Sequence, residues 1–241
     1  MAKAVLITGV SSGIGRGLAA EYLKQGATGW GMSRRAPDDL LMSHPGFHFQ
    51  SVDLTDALAV EKCLSRLLAD CEGLETVVLN AGAIGQIADM PEVSLKDLRA
   101  LMDINVWANK SVLDFLFRRG FPIQRVISIS SGAAVTGKRG WSGYAISKAA
   151  MTMMTQLYAR EHPDTWFASV APGLVDTAMQ DFLCGQSPDP RFGSLEVLKS
   201  KRDTDEMPSP QQVAQPLIRL IEGIESRVES GGFIDIRQIK D

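Results

Sequence analysis

Tyr144-Ala145-Ile146-Ser147-Lys148 sets a phenol and an ammonium four residues apart, a spacing that on a helix projects both from one face toward a common point. A neighbouring ammonium favours the phenolate, so the pair is suited to bringing a tyrosine pKa down from about 10 toward a value useful for proton transfer near neutrality. The same spacing also arises between surface neighbours on an ordinary amphipathic helix. Upstream, Ser131 follows Ser128-Ile129-Ser130 at the end of an apolar strand-like run, Arg125 to Ile129. Open α/β sheets place their ligands at such strand ends.

A second chemical signal lies near the start of the chain. Thr8-Gly9-Val10-Ser11-Ser12-Gly13-Ile14-Gly15 sits between the apolar run Ala4 to Ile7 and a stretch with helical periodicity. Gly9 lets the chain turn off the strand, Gly13 clears the approach of a pyrophosphate, and Gly15 permits close packing of helix and strand. The N–H groups of Ser11, Ser12 and Ile14 would then face the anion at a helix N-terminus. Glycines after a first strand also occur in turns that bind nothing. Farther on, the second strand runs into Ser33-Arg34-Arg35, with no carboxylate until Asp38. An acidic residue there would take a ribose 2′-OH; arginine suits a 2′-phosphate, so NADP(H) is the expected cofactor, with Arg34 as main ligand and Ser33 or Arg35 assisting. A solvated basic pair is the alternative.

These residues need a scaffold, and the hydrophobic pattern supplies one. Strand-like segments Ala4–Thr8, Thr28–Met32, Phe47–Val52, Thr76–Leu79, Arg125–Ile129, Trp166–Ala171 and Gly232–Ile236 alternate with helical ones. Several are continuously apolar, which predicts a doubly wound α/β sheet of about seven parallel strands covered on both faces. Helices are expected from Gly13 to Gln25, Leu95 to Arg119, Gly143 to Glu161 and from Pro210 onward, where Ser209-Pro210-Gln211-Gln212 reads as a capping box. No linker divides residues 1–241, so one domain is expected. Residues 178–208, broken by Gly185, Pro188, Pro190 and Gly193, read as short helices and loop, a substrate-binding loop or lid.

The balance of 25 Lys and Arg against 28 Asp and Glu leaves a net charge of −3 and no basic footprint for nucleic acid. No apolar run reaches the length of a membrane span, and a strand begins within a few residues of Met1; a cytoplasmic protein is expected. Three cysteines, Cys63, Cys71 and Cys184, and three scattered histidines indicate neither a disulfide framework nor a metal site.

Taken in order, TGxxxGIG, Asn80-Ala81-Gly82, Asn105, Ser131, Tyr144-x-x-x-Lys148 and Pro172-Gly173 resemble the short-chain dehydrogenase/reductase family over essentially the whole chain. The resemblance implies a Rossmann-like single-domain oxidoreductase. It implies that Tyr144 donates a proton to a carbonyl oxygen, Ser131 hydrogen-bonds that oxygen, and Lys148 lowers the Tyr144 pKa and holds the nicotinamide ribose. Asn105 would anchor a water linking Lys148 to solvent. Ser130 is the competing serine, and the offset from Tyr144 favours Ser131. Asn80, Ala81 and Gly82 would sit beside the cofactor, and Asp53 with Leu54 would meet the adenine, although Asp53 could equally N-cap the next helix. Pro172, Gly173, Val175, Thr177 and Met179 match the segment that closes over the nicotinamide.

The C-terminal third resembles the sepiapterin reductases and benzil reductases within that family, through the run Ala171 to Gln180, Gly140-Trp141-Ser142-Gly143-Tyr144, and Ser230-Gly231-Gly232-Phe233-Ile234-Asp235. This implies NADPH-dependent reduction of an activated ketone, either a pterin side-chain ketone or an aromatic vicinal diketone. Asp235 becomes a candidate anchor for the guanidine-like edge of a pterin, with capping, ion pairing or solvent exposure as its structural alternatives. Trp141 is the better pocket candidate of Trp141 and Trp107, and Phe182, Leu183, Phe192, Leu195 and Leu198 line the pocket or pack the lid. Other carbonyl or alcohol substrates, and a non-catalytic NADP(H)-sensing regulator, remain as alternatives. A homodimer or homotetramer, paired through the two long helices, follows from the resemblance.

Overall fold

The computed structural model describes residues 3–239. Its strands are β1 (Ala4–Thr8), β2 (Thr28–Ser33), β3 (Phe47–Ser51), β4 (Leu74–Leu79), β5 (Ile123–Ile129), β6 (Trp166–Ala171) and β7 (Gly232–Asp235). They form one sheet in the order β3-β2-β1-β4-β5-β6-β7, with every pairing parallel. The order reverses between β1 and β4. In a sheet of this topology that reversal opens a crevice beyond the strand C-termini, where Gly9 and Asn80 lie.

The central strands β1, β4, β5 and β6 alternate their side chains between two cores. From β1, Leu6 enters the core shared with α3 (Ala57–Leu67), α5 (Ala108–Arg118) and α6 (Ser142–Glu161). Val5 and Ile7 enter the opposite one, against α1 (Gly13–Lys24) and α9 (Pro210–Glu222). Burial on both faces explains why these strands read as continuous apolar runs. The Rossmann-like expectation holds, and strand ends moved by one or two residues.

Three differences have physical causes. The long helix expected from Leu95 to Arg119 is α4 (Leu95–Met102), a π-helical turn (Asp103–Trp107) and α5, the widened turn lying where Asn105 is needed inside. Asp53 does not cap a helix: its carboxylate accepts from the N–H and hydroxyl of Thr55, while Asp56 caps α3 through Ala59. Finally, β7 stops at Asp235, and Ile236–Gln238 is a 3-10 turn capped by the Asp235 side chain.

The capping box at Ser209 forms: Ser209 Oγ accepts from Gln212 N at 3.3 Å and Gln212 Oε1 accepts from Ser209 N at 2.8 Å. Residues 178–208 contain α7 (Ala178–Cys184) and α8 (Gly193–Lys199), packed over Ile84 and Tyr144 through Leu183, Phe192, Leu195, Leu198 and Met207. Phe182 is exposed instead. Ion pairs from Arg191 to Asp89 and Glu92 tie this segment to the loop after β4. Among the described residues no helix is long and apolar enough to cross a membrane.

Candidate active site

A cleft of about 790 Å³ runs across the C-terminal ends of the strands. At one end, the Gly9 to Ile14 loop leads into α1. Gly9 has φ +76°, and a Cβ there would stand 2.9 Å from Asn80 Nδ2; Gly13 has φ +60°. Both positions demand glycine. Gly15 lies behind the cleft, where a Cβ would come within 2.4 Å of Asn80 Nδ2 and the Gly9 carbonyl, so its role is helix-to-loop packing. The loop is pinned from β4: Thr8 Oγ1 accepts from the N–H groups of Asn80 and Ala81, both at 3.0 Å, and Asn80 Nδ2 donates to the Thr8 and Gly9 carbonyls. Thr8 is the positioning residue that sequence reasoning passed over, although it opens the motif. Ser12 N-caps α1 without a side-chain hydrogen bond to the first turn, so the helix N-terminus presents its free N–H groups to the cleft.

The end of β2 carries the charge that the loop needs. Ser33 Oγ donates to the Arg35 carbonyl and Ser51 Oγ to the Arg34 carbonyl, which fixes the backbone and leaves both guanidinium groups exposed along the cleft. Neither arginine has a carboxylate partner within ion-pair distance among the described residues. Asp38, the first acid after β2, is held by Arg16 at 2.6 Å and caps α2 (Asp39–Met42) through Leu41 N. Its carboxylate is therefore spoken for, and Arg34 and Arg35 line that end of the cleft unopposed among the described residues. Asp53 and Leu54 border the same end; Thr55 holds the Asp53 carboxyl below its usual range.

At the other end, α6 presents Tyr144 and Lys148. Lys148 Nζ donates to the Ile129 carbonyl at 2.7 Å and lies 5.7 Å from the Tyr144 ring centroid. Burial pushes the lysine pKa down to about 8, and burial also holds the Tyr144 phenol above its ordinary value, with the Ser131 hydroxyl pulling it down. In the protein alone, burial thus dominates the Tyr144 phenol, and the Ser131 hydrogen bond is what opposes it. Ser131 Oγ accepts from Ala133 N at 3.2 Å beside the phenol, whereas Ser130 turns to Thr152 at 3.1 Å, which separates the two serines.

Asn105 does not reach the cleft surface. Its Oδ1 accepts from Ala83 N at 2.7 Å, and its Nδ2 donates to the Ala83 carbonyl and to Ser147 Oγ at 2.8 Å. The π-helical turn thus clamps the loop after β4 to α6, and a Cβ on Gly82 would meet Asn105 Oδ1 at 2.9 Å and Lys148 Nζ at 3.7 Å. Pro172, Gly173, Val175, Thr177 and Met179 line the far wall with Trp141, whose Nε1 donates to Ser194 in α8. Asp235 lines it too, but both carboxylate oxygens are engaged by Arg237. Lys138, Arg237 and Gln180, the last with a buried unpartnered Oε1, are cleft residues that sequence reasoning missed; none belongs to a motif.

The cradle fits a dinucleotide: glycines where a side chain would intrude, free helix N-terminal N–H groups and two unopposed guanidinium groups. A family model described as short chain dehydrogenase matches residues 3–186. A benzil reductase ((S)-benzoin forming) of Bacillus subtilis is 29% identical over 245 residues, covering 97% of this chain and 98% of that protein. A sepiapterin reductase of Rattus norvegicus is 29% identical, covering 97% and 96%. Among solved structures, a short chain dehydrogenase/reductase of Saccharomyces cerevisiae superposes with a TM-score of 0.85 at 22% identity, covering 98% of this chain and 96% of that one. ElxO with NADP bound gives 0.78 at 22%, covering 98% and 97%.

Proposed function

Since the chain belongs to the short-chain dehydrogenase family, we propose that this oxidoreductase is an NADPH-dependent carbonyl reductase of activated ketones. The observation that carries the proposal is the convergence of Ser131, Tyr144 and Lys148 at one end of a cleft whose other end is the glycine loop with Arg34 and Arg35. Similarity to benzil and sepiapterin reductases supports the substrate class, and a structural neighbour with NADP bound supports the cofactor.

In this reading the Gly9 to Ile14 loop and the α1 N-terminus hold the pyrophosphate, Arg34 with Arg35 and Ser33 the 2′-phosphate, and Asp53, Leu54 and Asn80 to Gly82 the adenosine side. Pro172, Gly173, Val175, Thr177 and Met179 flank the nicotinamide. NADPH supplies the hydride. Tyr144, buried and neutral at physiological pH, donates its proton to the substrate oxygen while Ser131 hydrogen-bonds the same oxygen and stabilises the charge that develops there. Lys148 fixes the reacting end of the cofactor and favours the phenolate that remains after transfer; Asn105 positions it through Ala83 and Ser147. Trp141 and residues 178–208 close the apolar side.

The protein also offers a groove between α5 and α6, lined by Trp107, Phe117, Met153 and Leu157, with Lys110, Asp114, Arg118 and Glu161 at its rim. Trp107, Met153 and Leu157 are each half-exposed there. A second copy of the chain, presenting the same mixed-charge rim about a two-fold axis, covers this face.

The test is NADPH oxidation with benzil, sepiapterin and related activated ketones, followed by absorbance. Wild-type protein turns over and Tyr144→Phe loses about 10²- to 10⁴-fold in kcat while still quenching on NADPH binding. Turnover that survives in Tyr144→Phe refutes the acid assignment, and a preference for NADH refutes the cofactor.

A further inference from the structure

Asp235 ends β7 beside Ala171, the residue before Pro172-Gly173, and so stands at the substrate end of the cleft. Its carboxylate is buried and fully engaged. Oδ1 accepts from Arg237 N at 3.0 Å and Arg237 Nε at 2.9 Å, and Oδ2 accepts from Arg237 Nη2 at 2.6 Å. A planar guanidinium with two parallel N–H donors is the same hydrogen-bonding edge that a pterin would offer. In this chain Arg237 already occupies that edge of the carboxylate.

Arg237 is held from other sides as well. A Cβ on Gly132 would lie 3.2 Å from Nη2, and one on Gly173 would lie 3.4 Å from Cγ and Cδ, so the side chain rests on two glycines, one next to Ser131 and one on the wall below. The remaining face is open: the Arg237 side chain is 57% exposed while that of Asp235 is 6%. A guanidinium has five N–H donors, of which Asp235 uses two. The others, including both on Nη1, make no hydrogen bond among the described residues, and Arg237 lines the same cleft as Ser131, against the glycine that follows it. Lys138, exposed and lining the same cleft with no carboxylate within ion-pair distance among the described residues, adds positive charge.

We propose that Arg237 is a specificity-determining residue, which takes an oxygen acceptor adjacent to the reacting carbonyl, a second keto oxygen or a carboxylate, and by holding Asp235 closes the site to amidine-edged heterocycles. This deepens the carbonyl-reductase reading and rests on it. The substrate class becomes vicinal dicarbonyls and 2-oxo acids, with pterins disfavoured until the Asp235 carboxylate is released.

The test compares kcat/KM with NADPH for 1-phenylpropane-1,2-dione and phenylglyoxylate, which carry the second oxygen, 2,2,2-trifluoroacetophenone, which is activated without it, and sepiapterin. Arg237→Leu frees the carboxylate; the double variant Asp235→Asn with Arg237→Gln avoids leaving a bare buried charge, and thermal melting checks both folds. In each variant the preference for the two dicarbonyl substrates over the trifluoroketone falls at least tenfold, and the larger loss marks which oxygen Arg237 favours. Arg237→Leu alone raises the relative rate on sepiapterin. An unchanged preference in folded variants that still reduce ketones overturns the role of Arg237. Absence of NADPH oxidation by wild type with all four compounds overturns the underlying carbonyl-reductase reading instead.

Discussion

Lys148→Met makes the cofactor-free protein more stable at neutral pH, at the expense of its chemistry. The buried ammonium, pushed from 10.5 down to about 8, carries a charging penalty of about 3 kcal/mol at about 1.36 kcal/mol per pKa unit. Because the folded value lies below the unfolded one, the unfolded chain binds more protons between them, and stability rises with pH across that window. The penalty is fully present below pH 8 and is relieved toward 10.5. Between pH 7 and 9.5 about 2 kcal/mol of it disappears. The hydrogen bond from Nζ to the Ile129 carbonyl survives deprotonation, since the neutral amine still donates, so its loss in the variant is nearly independent of pH. The assay is thermal or urea unfolding of both proteins without cofactor, at one protomer concentration, at pH 7 and 9.5. The stability difference between variant and wild type should shrink by about 2 kcal/mol on raising the pH, about 4–8 °C in Tm for a chain of this size. Parallel pH profiles would refute a depressed lysine in the folded protein.

Arg34→Ala removes a charge-assisted contact to a 2′-phosphate, worth about 1.5–3 kcal/mol, so the ratio of kcat/KM for NADPH over NADH should fall by about tenfold to hundredfold; an unchanged ratio assigns the selection elsewhere. Leu157→Arg places a charge on the half-exposed α5–α6 face and should shift the protein to a monomer in sedimentation or size-exclusion measurements, whereas an unaltered assembly would mean that another surface pairs. Ser209→Ala deletes the α9 cap and should cost about 1 kcal/mol, a fall of about 2–4 °C in Tm, with kcat retained, because α9 packs on α1 away from the reacting end.

What the sequence made legible was the chemistry written in short spacing. The glycine loop and the Tyr144 to Lys148 interval each depend on one turn or one helix, so local periodicity places them. The continuous apolar strands revealed the two-faced sheet for the same reason, since burial on both sides leaves no alternation to be confused by. The π-helical turn at Asn105 was invisible because it is set by partners far along the chain, Ala83 and Ser147. The desolvation of Lys148 was hidden as well, because spacing shows a neighbour's charge but not the solvent removed from it.

Asp235 takes the capping and ion-pairing alternatives that its place in the sequence left open. With β7 extended to Ile236, Asp235 is an anionic residue of a strand, free to meet a ligand. Ending the strand one residue sooner lets the 3-10 turn at Ile236–Gln238 fold Arg237 back, so that its own N–H and guanidinium satisfy the carboxylate. The group exposed to the cleft is then the guanidinium. A guanidinium offers only N–H donors where a carboxylate offers only acceptors, so under the proposed role of Arg237 the site takes oxygen acceptors, a dicarbonyl in preference to a pterin.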